Sequence, residues 1–149
     1  MSKKLAILRV AKGLGLFHVA RLLTRRAARV LCYHGIWLGD DGYRGDGMFM
    51  HPETFRARLA LLRRLGYRVV TLPEAVEAAC GRGNIGPCPV AITIDDGWFG
   101  TYRDMLPALL DEGMPATLYC DTRNLLEGKP IAHVMAATLR RAIGARPLS

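Results

Sequence analysis

Residues 90–98 are Val90-Ala91-Ile92-Thr93-Ile94-Asp95-Asp96-Gly97-Trp98. Its apolar and β-branched run suits a strand buried on both faces, as at the centre of a parallel sheet. The run ends on two adjacent carboxylates and a glycine, so charge stands where the strand leaves the sheet. In parallel α/β folds, chemistry gathers at the C-terminal strand ends. Asp-Asp-Gly taken alone better suits a turn followed by a helix cap. The buried strand before it and the aromatic Trp98 after it favour a site.

Working outward, strand and helix patterns alternate. Val30 to Tyr33 is a short apolar strand, followed by a Gly- and Asp-rich loop from His34 to His51. Pro52-Glu53 opens a helix in the favoured way. Phe55, Leu59, Leu62 and Leu65 give it an apolar face, and Gly66 ends it. Arg68 to Leu72 is a second strand, and Pro73-Glu74 opens a helix reaching about Cys80. The glycine-rich stretch Gly81 to Pro87 lacks the spacing of a phosphate-binding loop and reads as a linker. Pro89 to Ile94 is the third strand. A helix from about Thr101 to Glu112 contains Pro107, which either kinks it or starts its main part. Pro115 to Cys120 is the fourth strand, Asp121 to Pro130 a loop, and Ile131 to Ile143 a last helix. This alternation predicts an α/β fold with about four parallel strands. A complete barrel needs about eight strands and about 250 residues, so 149 residues make either a small open α/β domain or part of a barrel.

The chain has a globular composition, 50% hydrophobic and 23% charged. Its net charge of +8 is local: Lys3, Lys4, Arg9, Lys12, Arg21, Arg25, Arg26 and Arg29 precede any acid, and the remaining 13 basic residues balance 13 acidic ones. A neutral body without interleaved basic and aromatic residues argues against nucleic acid as a partner. Residues 1–29 form a basic arm and 30–149 the α/β body. Arg9 and Lys12 interrupt the apolar runs that a secretory leader needs, and no stretch approaches the roughly 20 apolar residues of a membrane span. From Leu16 onward the arm reads as an amphipathic helix. Leu16, Val19, Ala20, Leu23 and Ala27 share one face and Arg21, Arg25 and Arg29 the other, with Gly13 and Gly15 separating it from a shorter helix. Two roles suit it, a weak membrane-surface anchor and a helix docked on the body with its basic face in water. Cys32, Cys80, Cys88 and Cys120 have no C-x-x-C spacing, which argues against a zinc ribbon. Cys32 and Cys120 fall in strands, where cysteine is usually a small buried hydrophobe. Reduced thiols and the lack of a targeting segment suggest the cytoplasm, with the arm peripheral at the inner membrane face.

In a parallel sheet all C-terminal strand ends share one rim. His34, Asp95, Asp96 and Asp121 all follow strands, so they are expected to meet there, with Trp98 beside them. Adjacent carboxylates leave a strand on different sides. One can hold a divalent metal while its neighbour stays free as a base.

Thr93-Ile94-Asp95-Asp96-Gly97 resembles the T-F-D-D-G signature of the polysaccharide deacetylase family, the chitooligosaccharide deacetylase homology domain. The likeness extends to Leu31-Cys32-Tyr33-His34-Gly35-Ile36, to His51-Pro52-Glu53-Thr54-Phe55 and Leu65-Gly66-Tyr67, and to Leu106-Pro107 and Met114-Pro115-Ala116-Thr117-Leu118-Tyr119. It covers about residues 30 to 126 in consistent order. The resemblance implies a distorted, incomplete (β/α) barrel. It implies removal of acetyl groups from N-acetylated, sometimes O-acetylated, sugars with a divalent metal, often zinc. It assigns the base to Asp95 and one metal ligand to Asp96, with His34 near the site.

The departures are equally specific. The family completes its metal site with an H-x-x-x-H pair, and none of His18, His34, His51 and His133 are so spaced. The family's later Arg motif and C-terminal catalytic histidine are absent as well. The sequence therefore reads as the N-terminal part of a deacetylase domain, with the missing histidines supplied by further sequence or a second chain. The rival reading is a catalytically inactive half-barrel acting as a fragment, a scaffold or a binding protein.

Overall fold

The computed structural model describes residues 3–37 and 48–129. The chain divides into two compact units, Met1–Tyr119 and Cys120–Ser149. In the first, helices α1 (Lys3–Gly13) and α2 (Leu16–Leu23) precede strand β1 (Arg29–Tyr33). Two short strands follow, β2 (Gly35–Ile36) and β3 (Phe49–Met50), then helix α3 (Pro52–Arg64), strand β4 (Arg68–Val70) and helix α4 (Leu72–Ala79). Strand β5 (Pro89–Ile94), a π-helical turn (Thr101–Met105), helix α5 (Leu106–Glu112) and strand β6 (Thr117–Leu118) complete it.

The expected parallel sheet is present and β5 is its axis. Along one edge β1 pairs with it in parallel from Arg29↔Val90 to Tyr33↔Ile94. Also parallel to β5 are β4, from Arg68↔Pro89 to Val70↔Ala91, and β6, from Thr93↔Thr117 to Ile94↔Leu118. All six residues of β5 are buried, which accounts for a run without polar alternation.

The two faces of β5 carry different loads. Ile92 and Ile94 join the larger core with Tyr33, Phe55, Leu59, Leu62, Met105, Ala108 and Leu109, while Ala91 packs with Val70 and Ala75. By the two-residue period, Thr93 and Asp95 follow Ala91 on the second face. Phe55, Leu59 and Leu62 recur at helical spacing, so α3 buries that stripe. The Phe55 ring meets Tyr33 edge-on at 5.1 Å. Leu65, expected on this stripe, is 41% exposed because it lies past the last helical residue, where Gly66 turns the chain at φ 70°. Helix α4 starts with a capping box in which the Thr71 hydroxyl accepts from Glu74 N and the Glu74 carboxylate accepts from Thr71 N.

Several expectations need correction. The ends of the segment expected to be loop from His34 to His51 pair as β2 and β3, with Trp37 N donating to Met50 O. Of the two roles left open for Pro107 the second holds: it opens α5, and the turn before it is π-helical, since a proline has no N–H to bond into that turn. In the second unit, part of the segment expected as loop from Asp121 to Pro130 is helix α6 (Thr122–Glu127). Asp121 caps it, and Gly128 closes it in the left-handed region at φ 62°. Helix α2 ends at Leu23, earlier than its amphipathic pattern suggested. Arg29 belongs to β1, and its guanidinium donates to the carbonyls of Thr24 and Ala27. Cys32 and Cys120 are exposed and Cys88 is the buried cysteine; all four are free thiols. The expected helix Ile131 to Ile143, with His133, lies outside the described residues. Neither α1 nor α2 contains a buried residue. Among the described residues no helix is long and apolar enough to cross a membrane.

Leu59 is 0% exposed, so Leu59→Ala should destabilise the protein by about 2–5 kcal/mol, read as a lower urea midpoint. Arg56→Ala breaks only an exposed 3.1 Å ion pair with Asp111 and should cost under about 1 kcal/mol. Equal losses in the two variants would contradict this placement of the core.

Candidate active site at the end of strand β5

The register of β1 against β5 builds the site. Cys32 lies opposite Thr93 and Tyr33 opposite Ile94, and Asp95 N donates to Tyr33 O at 2.8 Å. The next position on each strand is therefore His34 and Asp95. Because side chains alternate along a strand, Cys32 and His34 share the face that carries Thr93 and Asp95. The Cys32 thiol donates to Asp95 Oδ2 at 3.2 Å, and His34 Nε2 lies 3.8 Å from the same oxygen. Asp95 and His34 are both about one-third exposed, at 31% and 33%.

Asp96 is directed elsewhere. Its backbone takes the left-handed conformation, φ 69°, followed by Gly97 at φ 68°. Aspartate tolerates this region better than most residues with a side chain. Trp98 Nε1 donates to Asp96 Oδ2 at 3.2 Å, while the Trp98 ring packs edge-on against Phe49 at 5.3 Å. Two glycines permit this packing. A Cβ on Gly35 would fall 2.6 Å from Phe49 Cε1, and one on Gly100 would fall 2.7 Å from the Ile36 carbonyl oxygen. The β2–β3 pair can therefore press against the segment after the two aspartates.

Among the residues expected at the rim, His34 and Asp95 are brought together and Trp98 is joined to Asp96. Asp121 lies in the second unit, where its carboxylate accepts from Asn124 N at 3.3 Å and from Asn124 Nδ2 at 2.7 Å. Cys32 is the neighbour that the sequence reading assigned to the core. Its spacing of two from His34 on a strand was the signal that could have found it. A cleft of about 200 Å³ opens beside Trp98, lined by Ile94, Thr101, Tyr102, Leu106, Leu109 and Leu118. Its wall is mostly apolar, and neither aspartate lines it.

Partial burial pushes the Cys32 thiol above its ordinary pKa, the hydrogen bond to Asp95 acts in the same direction, and the Asp95 and Asp96 charges add to both. A hydrogen bond with Thr93 opposes them. The residues present do not complete the metal site that the family resemblance implies. That site needs Asp96 and a spaced histidine pair, and a catalytic zinc normally takes three protein ligands. His18 lies in α2 and His51 packs edge-on against Trp37 at 4.4 Å.

The fold and the strand-end carboxylates define an α/β protein of the partial (β/α) barrel type. No protein-family profile matches the sequence. The chain is 30% identical over 104 residues to a Bacillus subtilis (strain 168) protein, YxkH, whose name places it among polysaccharide deacetylases. That match covers 70% of this chain and 33% of the relative, so the chain spans about a third of the relative's length. IcaB from Ammonifex degensii superposes with a TM-score of 0.55 at 29% identity, over 63% of this chain and 38% of that one. A polysaccharide deacetylase from Bacillus cereus superposes with a TM-score of 0.50 at 28% identity, over 65% and 30%. Over the matched part, this chain is a relative of the polysaccharide deacetylases.

If Asp95 holds the Cys32 thiol protonated, Asp95→Asn should raise the rate of Cys32 alkylation by iodoacetamide near neutral pH severalfold. Alkylation of Cys80, which is remote in sequence and exposed, should not change. An unaltered rate at Cys32, followed by peptide mass spectrometry, would contradict the contact.

Proposed function

We propose that this chain carries the base-bearing part of a hydrolase that removes acetyl groups from an acetylated carbohydrate. The observation supporting the reading is the position of Asp95. It follows a fully buried central strand, is one-third exposed, and stands in a Thr-Ile-Asp-Asp-Gly stretch within a chain related to polysaccharide deacetylases. In this reading Asp95 accepts a proton from the water that attacks the acetyl carbonyl, and His34 borders it. Removing a positioned general base typically costs about 10²–10⁴-fold in rate. Asp96 contributes one carboxylate toward a divalent metal, zinc in the family pattern, whose remaining ligands are not among this chain's histidines. Such a metal polarises carbonyls and acidifies water.

A second reading is favoured by the missing histidine pair and by apolar exposure near the site, where Phe99 is 60% and Tyr102 71% exposed. Here the chain is a catalytically inactive half-barrel that binds a partner through these surfaces. Acetate release from N-acetylated chito-oligosaccharides with added zinc separates the two. The enzyme reading expects release that falls about 100-fold or more in Asp95→Asn and also falls in Asp96→Asn. Background release by wild type and both variants would favour the inactive half-barrel.

For the arm, we propose contact with an anionic membrane surface. Leu16, Val19 and Leu23 are 52%, 50% and 82% exposed, and residues 1–30 carry eight basic groups and no acid. Apolar area and cationic charge on one helical segment suit the interface of anionic lipids. Co-sedimentation should show binding to phosphatidylserine-containing vesicles that exceeds binding to phosphatidylcholine alone and weakens with salt. Leu16→Ser with Leu23→Ser should reduce it by about tenfold or more. Equal binding to both vesicle types, or none, would end the idea.

A further inference from the structure

Cys32, His34 and Asp95 each offer a ligand atom, and these atoms all lie within 4.8 Å of one another. We propose that they form a site for a thiophilic divalent cation, with sulfur, nitrogen and oxygen ligands. It is distinct from the carboxylate and paired-histidine site of the family pattern, which this chain does not complete.

The architecture supports this directly. Two ligands come from positions i and i+2 of one strand end, and the third from the adjoining position of its parallel neighbour. The period of a strand puts all three on one face without help from a loop. Zinc binds sulfur at about 2.3 Å and nitrogen or oxygen at about 2.0–2.2 Å, so tetrahedral ligand atoms stand roughly 3.3–3.7 Å apart. The sulfur is already 3.2 Å and the imidazole nitrogen 3.8 Å from the same Asp95 oxygen. A modest opening of the Cys32–Asp95 hydrogen bond would admit the ion between them. The thiol proton is released to solvent, the thiolate takes its place as ligand, and the fourth position stays open to water. A thiolate in the set selects zinc, cobalt or cadmium over magnesium or calcium.

The site shares Asp95 with the deacetylase reading without resting on it. A cation seated here occupies the carboxylate that the reading assigns as base, so occupancy would inhibit proton transfer rather than support it. Asp96 faces Trp98 and takes no part, which makes the two ideas separable.

The test is titration of the full chain with Co²⁺ under reducing conditions, then displacement by Zn²⁺. Binding at the trio gives a thiolate-to-cobalt charge-transfer band in the near ultraviolet with intense tetrahedral bands in the visible. Cys32→Ser should abolish the charge-transfer band. His34→Asn and Asp95→Asn should weaken binding by about tenfold or more. Cys80→Ser should leave the spectrum unchanged, and circular dichroism checks that each variant is folded. No charge-transfer band in the wild type, or a band that persists in Cys32→Ser, overturns the proposal. A visible spectrum lost in Asp96→Asn but kept in Cys32→Ser would also overturn it and would support the family-type ligand instead. Acetate release that falls as the thiolate band rises, and that is lost in Asp96→Asn, would uphold both.

Discussion

The burial of β5 is the constraint on which the rest of the first unit depends. Six consecutive buried residues leave no polar backbone group a route to water, so each must find a ladder partner. β1 supplies one edge, and β4 and β6 together supply the other. Once those pairs form, the first residues able to reach solvent are Asp95 and Asp96. The carboxylates stand at the rim because the hydrophobic run cannot continue past the end of its partners.

From that constraint follows a division of labour between neighbours that differ by one position. Asp95 continues the Ala91–Thr93 face and meets Cys32 and His34 from β1. Asp96 turns through the left-handed region and is held by the Trp98 indole. Their side chains take separate partners although their backbones are adjacent, which is what distinct chemical roles require. The same register gives this site a thiol next to the carboxylate, a ligand type outside the family pattern.

The first unit also leaves apolar surface in water. The arm helices contain no buried residue. Val30, Leu110 and Tyr119 are 54%, 71% and 52% exposed on the body. The arm differs from the body in its company of cations, eight basic residues with no acid.

Much of the fold was legible in residues 29–118 because buried parallel strands and an amphipathic α3 write strong periodic patterns. Phe55, Leu59 and Leu62 are an example, and so is the uninterrupted run into Asp95. The β2–β3 pair was not legible, since two-residue strands have no period to read and depend on Gly35 and Gly100 allowing close approach. α6 was missed although Asp121 and Gly128 are ordinary cap residues. The order of residues suffices for the central strand, for the paired carboxylates at its end and for the lack of the family's spaced histidines. Which side chains Asp95 and Asp96 meet is settled only when the strands pair. Strand register is a long-range property: Cys32 and Asp95 are 63 positions apart, and no local pattern reports which face of β1 will adjoin which face of β5.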